Sequence, residues 1–308
     1  MLKSLKNPTE LDGMCQCHIC DGAAIANYFG WLEHELLFNG GHLRLSEVDV
    51  ADKLEELCCA QEHCIGLSFD TISSVGPNGA MIYYSPKRRS DASLDVNKLY
   101  LCDSGGQCLD GTTDVMHRYH FGMPSAWECE CFTRMLKGHM ALDCAVFPLG
   151  TSSYALDPLV HLPLWELGLD YHHGTSHSVG SFLNVHEGPQ GVGMRMNYLS
   201  AGFQHGTMIT NEPSYYEDGS FGIRIENTCL IMKTETKFDY TGSAGGYLTF
   251  DPVTMVLIQR KLIQSGLLNE DKKKWLDDYH HKVWNKVSPL LKEGSLGYEW
   301  LKRETSPI

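Results

Sequence analysis

Tyr100-Leu-Cys-Asp-Ser-Gly-Gly-Gln-Cys-Leu-Asp-Gly-Thr-Thr-Asp114 is the stretch on which the rest of the chain is organised. Leu99 and Leu101 alternate into Asp103, Gly105-Gly106 follow, and the chain turns at Asp110-Gly111 before a second carboxylate, Asp114. Alternation that ends in Asp-Gly is the pattern of a β-hairpin or a bulged strand pair. Such a turn sets Asp103 and Asp114 near one another on a sheet surface. Two close carboxylates repel, and one pKa rises unless a cation lies between them.

Outward from this stretch, residues 7 to about 57 read as helical. Thr9-Glu10-Leu11 opens a helix that turns Ile19, Ala23, Ile25, Ala26 and Phe29 inward, and Ser46 is an N-cap with Asp49 at the third helical position. Strand patterns occupy residues 67–72 and, after the turn Gly76-Pro-Asn-Gly79, residues 80–84. Residues 125–147 read as a helix with Trp127, Phe132, Met135, Leu136 and Met140 on its buried side. A further helix over 155–167 is interrupted by Pro158 and Pro163, and 172–180 is too rich in Gly and His for a regular element. Strands are expected over 207–212 and 221–226, the second alternating Phe221, Ile223 and Ile225 against Arg224 and Glu226. Helices around central strands indicate an α+β fold. The expected organisation is one domain over 1–308: a helical segment to about 60, a core over about 61–260, and a helical extension over about 261–308.

The 308 residues, 43% hydrophobic and 20% charged, suffice for a full core. A net charge of −13 argues against nucleic acid as a partner. No run approaches the ~18 apolar residues of a membrane span, and the first residues lack the apolar core of a signal peptide. The expected location is therefore cytoplasmic, with the twelve cysteines reduced. Cys17-x-x-Cys20 has zinc-ligand spacing but no second Cys-x-x-Cys to complete it, and reads as helix thiols. No cysteine has a histidine partner by motif, and His280-His281 read as a solvated helix face.

Asp103, Asp114, His177, Glu212 and Glu226 are the candidate ligands. Four carboxylates and one imidazole suit a pair of divalent cations, although a single Asp or Glu taken alone is more often a solvated surface carboxylate. Two metals ~3.5–4 Å apart need bridging carboxylates. His173 and His186, on either side of His177, are free to handle protons or hold a substrate carbonyl. The strings Asp103-Ser-Gly-Gly-Gln, Asp110-Gly-Thr-Thr-Asp114-Val, His173-Gly-Thr-x-His177-x-Val-Gly180, Asn184-Val-His186-Glu-Gly-Pro189, Asn211-Glu212-Pro213 and Gly222-Ile-Arg-Ile-Glu226-Asn together resemble the catalytic domain of the Xaa-Pro aminopeptidases, soluble animal type. The resemblance runs nearly end to end. It implies a pita-bread fold, two pseudo-symmetric αβ halves around a curved, mostly antiparallel sheet. It implies two Mn²⁺ ions on the five ligands, with a hydroxide between them that removes the N-terminal residue from short peptides with proline second. It also implies substrate contacts from His173 and His186, an Arg224 that orients Glu226, and a homodimer as the partner state.

The departures from that family lie near the chemistry. Tyr83 stands where the family has a substrate-contacting histidine, Ser176, Ser178 and Ser214 where it has glycines, and Met116-His117-Arg118 where it has Thr-Arg-Thr. If the glycines replaced by Ser176 and Ser178 need φ > 0, each serine costs on the order of 1 kcal/mol and displaces His177. Several departures each need one C-to-T or G-to-A change, the pattern of a decaying gene copy. The family's two N-terminal domains are expected to be absent. The alternative function is therefore an impaired relative that keeps the fold and acts at most in binding or dimerisation.

Overall fold

A computed structural model describes residues 3–39, 44–193, 202–238 and 245–308. Asn7, one residue before Pro8, opens α1 (Pro8–Leu37); its side chain and that of Glu10 cap one another's backbone amides. Ser46 and Asp49 form the same reciprocal box for α2 (Glu47–Cys59), as the sequence predicts. Next come β1 (Cys64–Leu67) and β2 (Ile72–Val75). The expected strand over 80–84 does not form. The expected turn at Gly76–Gly79 is a 3₁₀ turn over Gly76–Ala80, and the residues after it are fixed by side-chain bonds instead of a ladder: the buried Glu47 carboxylate accepts from Val75 N, Asn78 Nδ2, Tyr84 Oη and Ala92 N.

The opening stretch supplies β3 (Tyr100–Ser104), β4 (Gly106–Cys108) and β5 (Val115–Tyr119). β3 pairs with β2 on one side and β5 on the other, with Asp103 opposite Met116. β4 leaves this sheet to pair with β1. The departure needs Gly105, where a Cβ would come within 2.1 Å of the Thr113 carbonyl oxygen. α3 (Ala126–Asp143) buries Phe132, Met135, Leu136 and Met140, whereas Trp127 is only partly covered and donates to Glu217 at 2.6 Å.

After β6 (Phe147–Pro148), α4 (Ser153–Trp165) runs through both Pro158 and Pro163. Each proline removes a helix bond, but the Val160 carbonyl lies so close over Gly138 that tight packing on α3 holds α4 in one piece. The strands β7 (Met208–Asn211), β8 (Ser214–Glu217), β9 (Phe221–Arg224), β10 (Asn227–Thr234) and β11 (Tyr247–Pro252) complete the second half. Its four-stranded sheet has the order β6-β11-β10-β7. Every strand pair is antiparallel, and a bridge from Met116 to Glu226 joins the β2-β3-β5 sheet to the second half.

α5 (Glu270–Val287) and α6 (Leu296–Glu304) close the back. Phe29 of α1 clusters with Tyr119 and Trp300, at 3.6 and 5.4 Å between ring centroids, and those two rings lie 5.9 Å apart. Burying that one phenyl ring is worth about 2–3 kcal/mol. His280 is not on a solvated face: it is 1% exposed, and its Nε2 accepts from Ile258 N at 3.2 Å. Its position on the apolar stripe with Leu276, Val283 and Val287 turns it inward. His281 is exposed.

Candidate metal centre

Strand alternation puts Asp103, Met116 and Arg118 on one face of the β2-β3-β5 sheet, and Asp114, two residues before Met116, continues that face. Glu226 follows β9 and is fixed there by its amide, which donates to the Met116 carbonyl at 2.9 Å. Glu212 follows β7. His177 belongs to the irregular segment, but its backbone is clamped to β7: Thr210 N donates to His177 O at 2.8 Å and His177 N donates to Thr210 Oγ1 at 3.0 Å. All five predicted ligands therefore converge, although they come from four separate stretches of chain.

Their atoms form overlapping sets within 4.8 Å of one another: Asp103, Asp114 and Glu226; His177, Glu212 and Glu226; and Asp114, His177 and His186. His177 Nε2 lies 3.3 Å from Asp114 Oδ2 and 3.5 Å from Glu212 Oε1. Its Nδ1 faces the Ser178 carbonyl at 3.0 Å, which makes Nδ1 a protonated nitrogen and turns Nε2 towards the carboxylates, the atom free to ligate. His186 meets His177 edge-on at 4.3 Å between ring centroids.

The electrostatics call for a cation. Burial, then the Asp114 charge, pushes the Asp103 carboxyl up to about 8, and the same causes hold Glu226 well above the usual carboxylate range. Burial would lower His177, but the Asp114 hydrogen bond and the Glu212 charge outweigh it and raise the imidazole to about 9. Asp103 Oδ1 is buried with no hydrogen-bond partner. Packed carboxylates with an orphaned oxygen are what a divalent pair would neutralise, so the donor set fits two hard-to-borderline cations.

Thr210 and Tyr216, which carry no motif, and Ser214, one of the departures, support this set. Thr210 Oγ1 donates to Glu212 Oε1 at 3.0 Å while it accepts the His177 amide, so one hydroxyl sets two ligands. Ser214 lies opposite Arg224 in register, and its Oγ accepts from Arg224 Nε at 3.0 Å. Tyr216 Oη accepts from Arg224 Nη2 at 2.8 Å and lies 3.0 Å from His173 Nε2. Alternation from Glu212 through Ser214 to Tyr216 was the available signal. Arg224 Nη1 sits 3.5 Å from Glu212 and 3.9 Å from Asp103, so the guanidinium addresses these carboxylates rather than Glu226.

The departures sit more comfortably than expected. Ser176 and Ser178 are not among the positive-φ residues, so neither carries left-handed strain, and Ser178 Oγ donates to the Gln190 carbonyl at 2.6 Å. His117 points away from the ligands, on the opposite face of β5 from Met116. Burial, helped by His139, pushes it down to about 3. Arg118 is buried, and its guanidinium has no hydrogen-bond partner among the described residues. Tyr83 is 91% exposed at the mouth of the cavity. That cavity, about 330 Å³, is lined by the five ligands together with His173, His186 and Arg224, and by Phe69, Ile72 and Ile82 on its apolar side.

The model of metallopeptidase family M24 matches residues 12–233, and that of its C-terminal region matches 246–308. A probable Xaa-Pro aminopeptidase P of Coprinopsis cinerea is 52% identical over 307 residues, all of this chain and 49% of the relative. One of Talaromyces marneffei is 51% identical over 99% of this chain and 46% of the relative. The crystal structure of an X-prolyl aminopeptidase from Caenorhabditis elegans, described as a cytosolic enzyme with a di-nuclear active site, superposes with a TM-score of 0.90 at 37% identity, covering 100% of this chain and 49% of that one. Prolidase from Pyrococcus furiosus shares the fold at 22% identity, with a TM-score of 0.63 over 82% of this chain and 66% of that one. The chain thus spans about half the length of the curated relatives it matches. With its two αβ halves around an antiparallel, curled sheet and its convergent carboxylate–histidine cluster, the chain belongs to metallopeptidase family M24, with the pita-bread fold.

Proposed function

We propose that this chain, as one catalytic unit, releases the N-terminal residue from short peptides with proline at the second position. The observation that carries the reading is the convergence of Asp103, Asp114, His177, Glu212 and Glu226 in one cavity. These five side chains would hold two divalent cations, with Mn²⁺ the expected species. Bound there, such a pair supplies Lewis-acid polarisation of a carbonyl and lowers the pKa of water. The protein's own contribution is positional. Tyr216 links Arg224 to His173, whose edge lies at the cavity, and burial, then the Arg224 charge, lowers the His173 imidazole below its ordinary value. His186, exposed beside His177, is placed to contact the substrate carbonyl or move its proton. Phe69, Ile72 and Ile82 offer an apolar wall suited to a pyrrolidine ring or an apolar first side chain, with Tyr83 at the rim.

The strain-free backbone at Ser176 and Ser178 supports an active site over an impaired relative. A cytoplasmic location and a homodimer complete the reading. No helix among the described residues is long and apolar enough to cross a membrane. The test is to reload the chelator-treated chain with Mn²⁺ and follow release of the first residue from Xaa-Pro-Pro and Xaa-Ala-Pro peptides. Release from the first peptide alone supports the proposal. No release from either, or equal release from both, overturns it.

A further inference from the structure

We propose that Cys59, Cys64 and Cys108 form a three-thiol relay that takes up a low-molecular-weight disulfide and ends as a Cys64–Cys108 cross-strand bond. All three are free thiols; Cys59 is exposed, Cys64 half-buried and Cys108 buried. Cys64 and Cys108 are partners in the β1–β4 register. The neighbouring pair is joined by Leu109 N donating to His63 O at 2.9 Å. The Cys64 and Cys108 amides donate elsewhere, to Gln61 and Gly111. The cysteines therefore occupy a non-hydrogen-bonded antiparallel position. There Cα atoms approach to about 4.5 Å, within the range a disulfide spans. The Cys64 thiol donates to the Gly66 carbonyl at 3.3 Å, and after burial it is the largest influence raising the thiols on either side of it, Cys59 at the end of α2 and Cys108 across the ladder.

Exposure and order set the chemistry. Cys59 is the thiol an external disulfide reaches first. Its sulfur attacks oxidised glutathione, one glutathione leaves with the proton, and a mixed disulfide remains. Cys64 then attacks the Cys59 sulfur and releases the second glutathione. Finally Cys108 attacks Cys64 and returns Cys59 to a thiol. The sum is two protein thiols oxidised by one glutathione disulfide, with two reduced glutathiones formed. Burial holds the Cys108 thiol up at about 12, so Cys108 enters last, and the product lies where reductants reach it least.

The bond would tie β1 to the strand beside Gln107. Gln107 Oε1 accepts from Thr112 Oγ1 at 3.0 Å and from Leu183 N at 3.2 Å. The cross-link therefore braces both the turn before Asp114 and the loop before His186. This relay does not depend on the peptidase reading.

The experiment treats the native chain with oxidised glutathione at pH 8.5, blocks remaining thiols, and maps peptides without reduction. The expected product links Cys64 to Cys108 with Cys59 free. Cys64→Ser stops at a glutathione adduct on Cys59, Cys108→Ala stops at a Cys59–Cys64 bond, and Cys59→Ser forms the final link about tenfold more slowly. Two results overturn the relay: Cys64 and Cys108 both left alkylatable once Cys59 carries glutathione, or Cys59→Ser reacting as fast as the parent chain.

Discussion

Replacing Thr210 by valine removes one hydroxyl and keeps the shape of the side chain. Thr210 is fully buried, and its Oγ1 accepts from His177 N and donates to Glu212 Oε1, each at 3.0 Å. The bond to the amide is worth about 1 kcal/mol and the bond to a carboxylate about 2 kcal/mol. The amide left unpaired in the interior adds to the loss. Removing a hydrogen bond that orients a ligand typically costs about 10–100-fold in metal affinity. Thr210→Val should therefore lose about 3 kcal/mol of stability and bind Mn²⁺ at least tenfold more weakly, whereas Thr210→Ser stays near the parent. Urea unfolding of the metal-free chain and calorimetric titration with Mn²⁺ measure the two effects separately. A valine variant that is destabilised yet binds metal as tightly as the serine variant would refute the claim that this hydroxyl sets the ligands.

Other outcomes follow from the same geometry. Ser178→Gly should destabilise by about 1–2 kcal/mol in urea, because it breaks the buried bond to Gln190 and adds backbone freedom; a gain would mean the serine is strained after all. Arg118→Met should stabilise by about 1–4 kcal/mol, since burial with no hydrogen-bond partner among the described residues disfavours the guanidinium; a loss would show that the nearby Asp103 charge compensates it. Burial pushes His280 down from 6.5 to about 4. The unfolded chain then binds more protons, so the contribution of neutral His280 is complete above pH 6.5 and is lost as pH falls towards 4. Between pH 7.5 and 5 that loss is about 2 kcal/mol, and His280→Gln, which keeps an acceptor for Ile258, should lose that much less. An unchanged pH slope would contradict it.

What was legible in the sequence was legible for physical reasons. The caps at Ser46 and the alternation through Asp103 and Arg224 are local, and local chemistry survived into the structure. The five ligands were named through motif resemblance, since nothing in their spacing says that four distant stretches meet. The misses came from tertiary contacts. Glu47 bonds across to residues 75–92 hold the segment after the expected Gly76–Gly79 turn, where the expected strand over 80–84 does not form, and packing of Val160 over Gly138 carries α4 through two prolines. Thr210 gives no local signal, because its role lies in what it touches. Ser176 and Ser178 carry no left-handed strain because neither backbone has a positive φ, which the residue types alone do not reveal.

Asp103, Asp114, His177, Glu212 and Glu226 are proposed to form one dinuclear centre. Its most direct test is to count divalent ions bound per chain by elemental analysis after chelation, reloading with Mn²⁺ and removal of free metal. The account predicts two per chain, falling in Glu226→Gln, whose carboxylate is shared by two of the ligand sets. A parent chain that retains none, or one whose content is unchanged in Glu226→Gln, would contradict it.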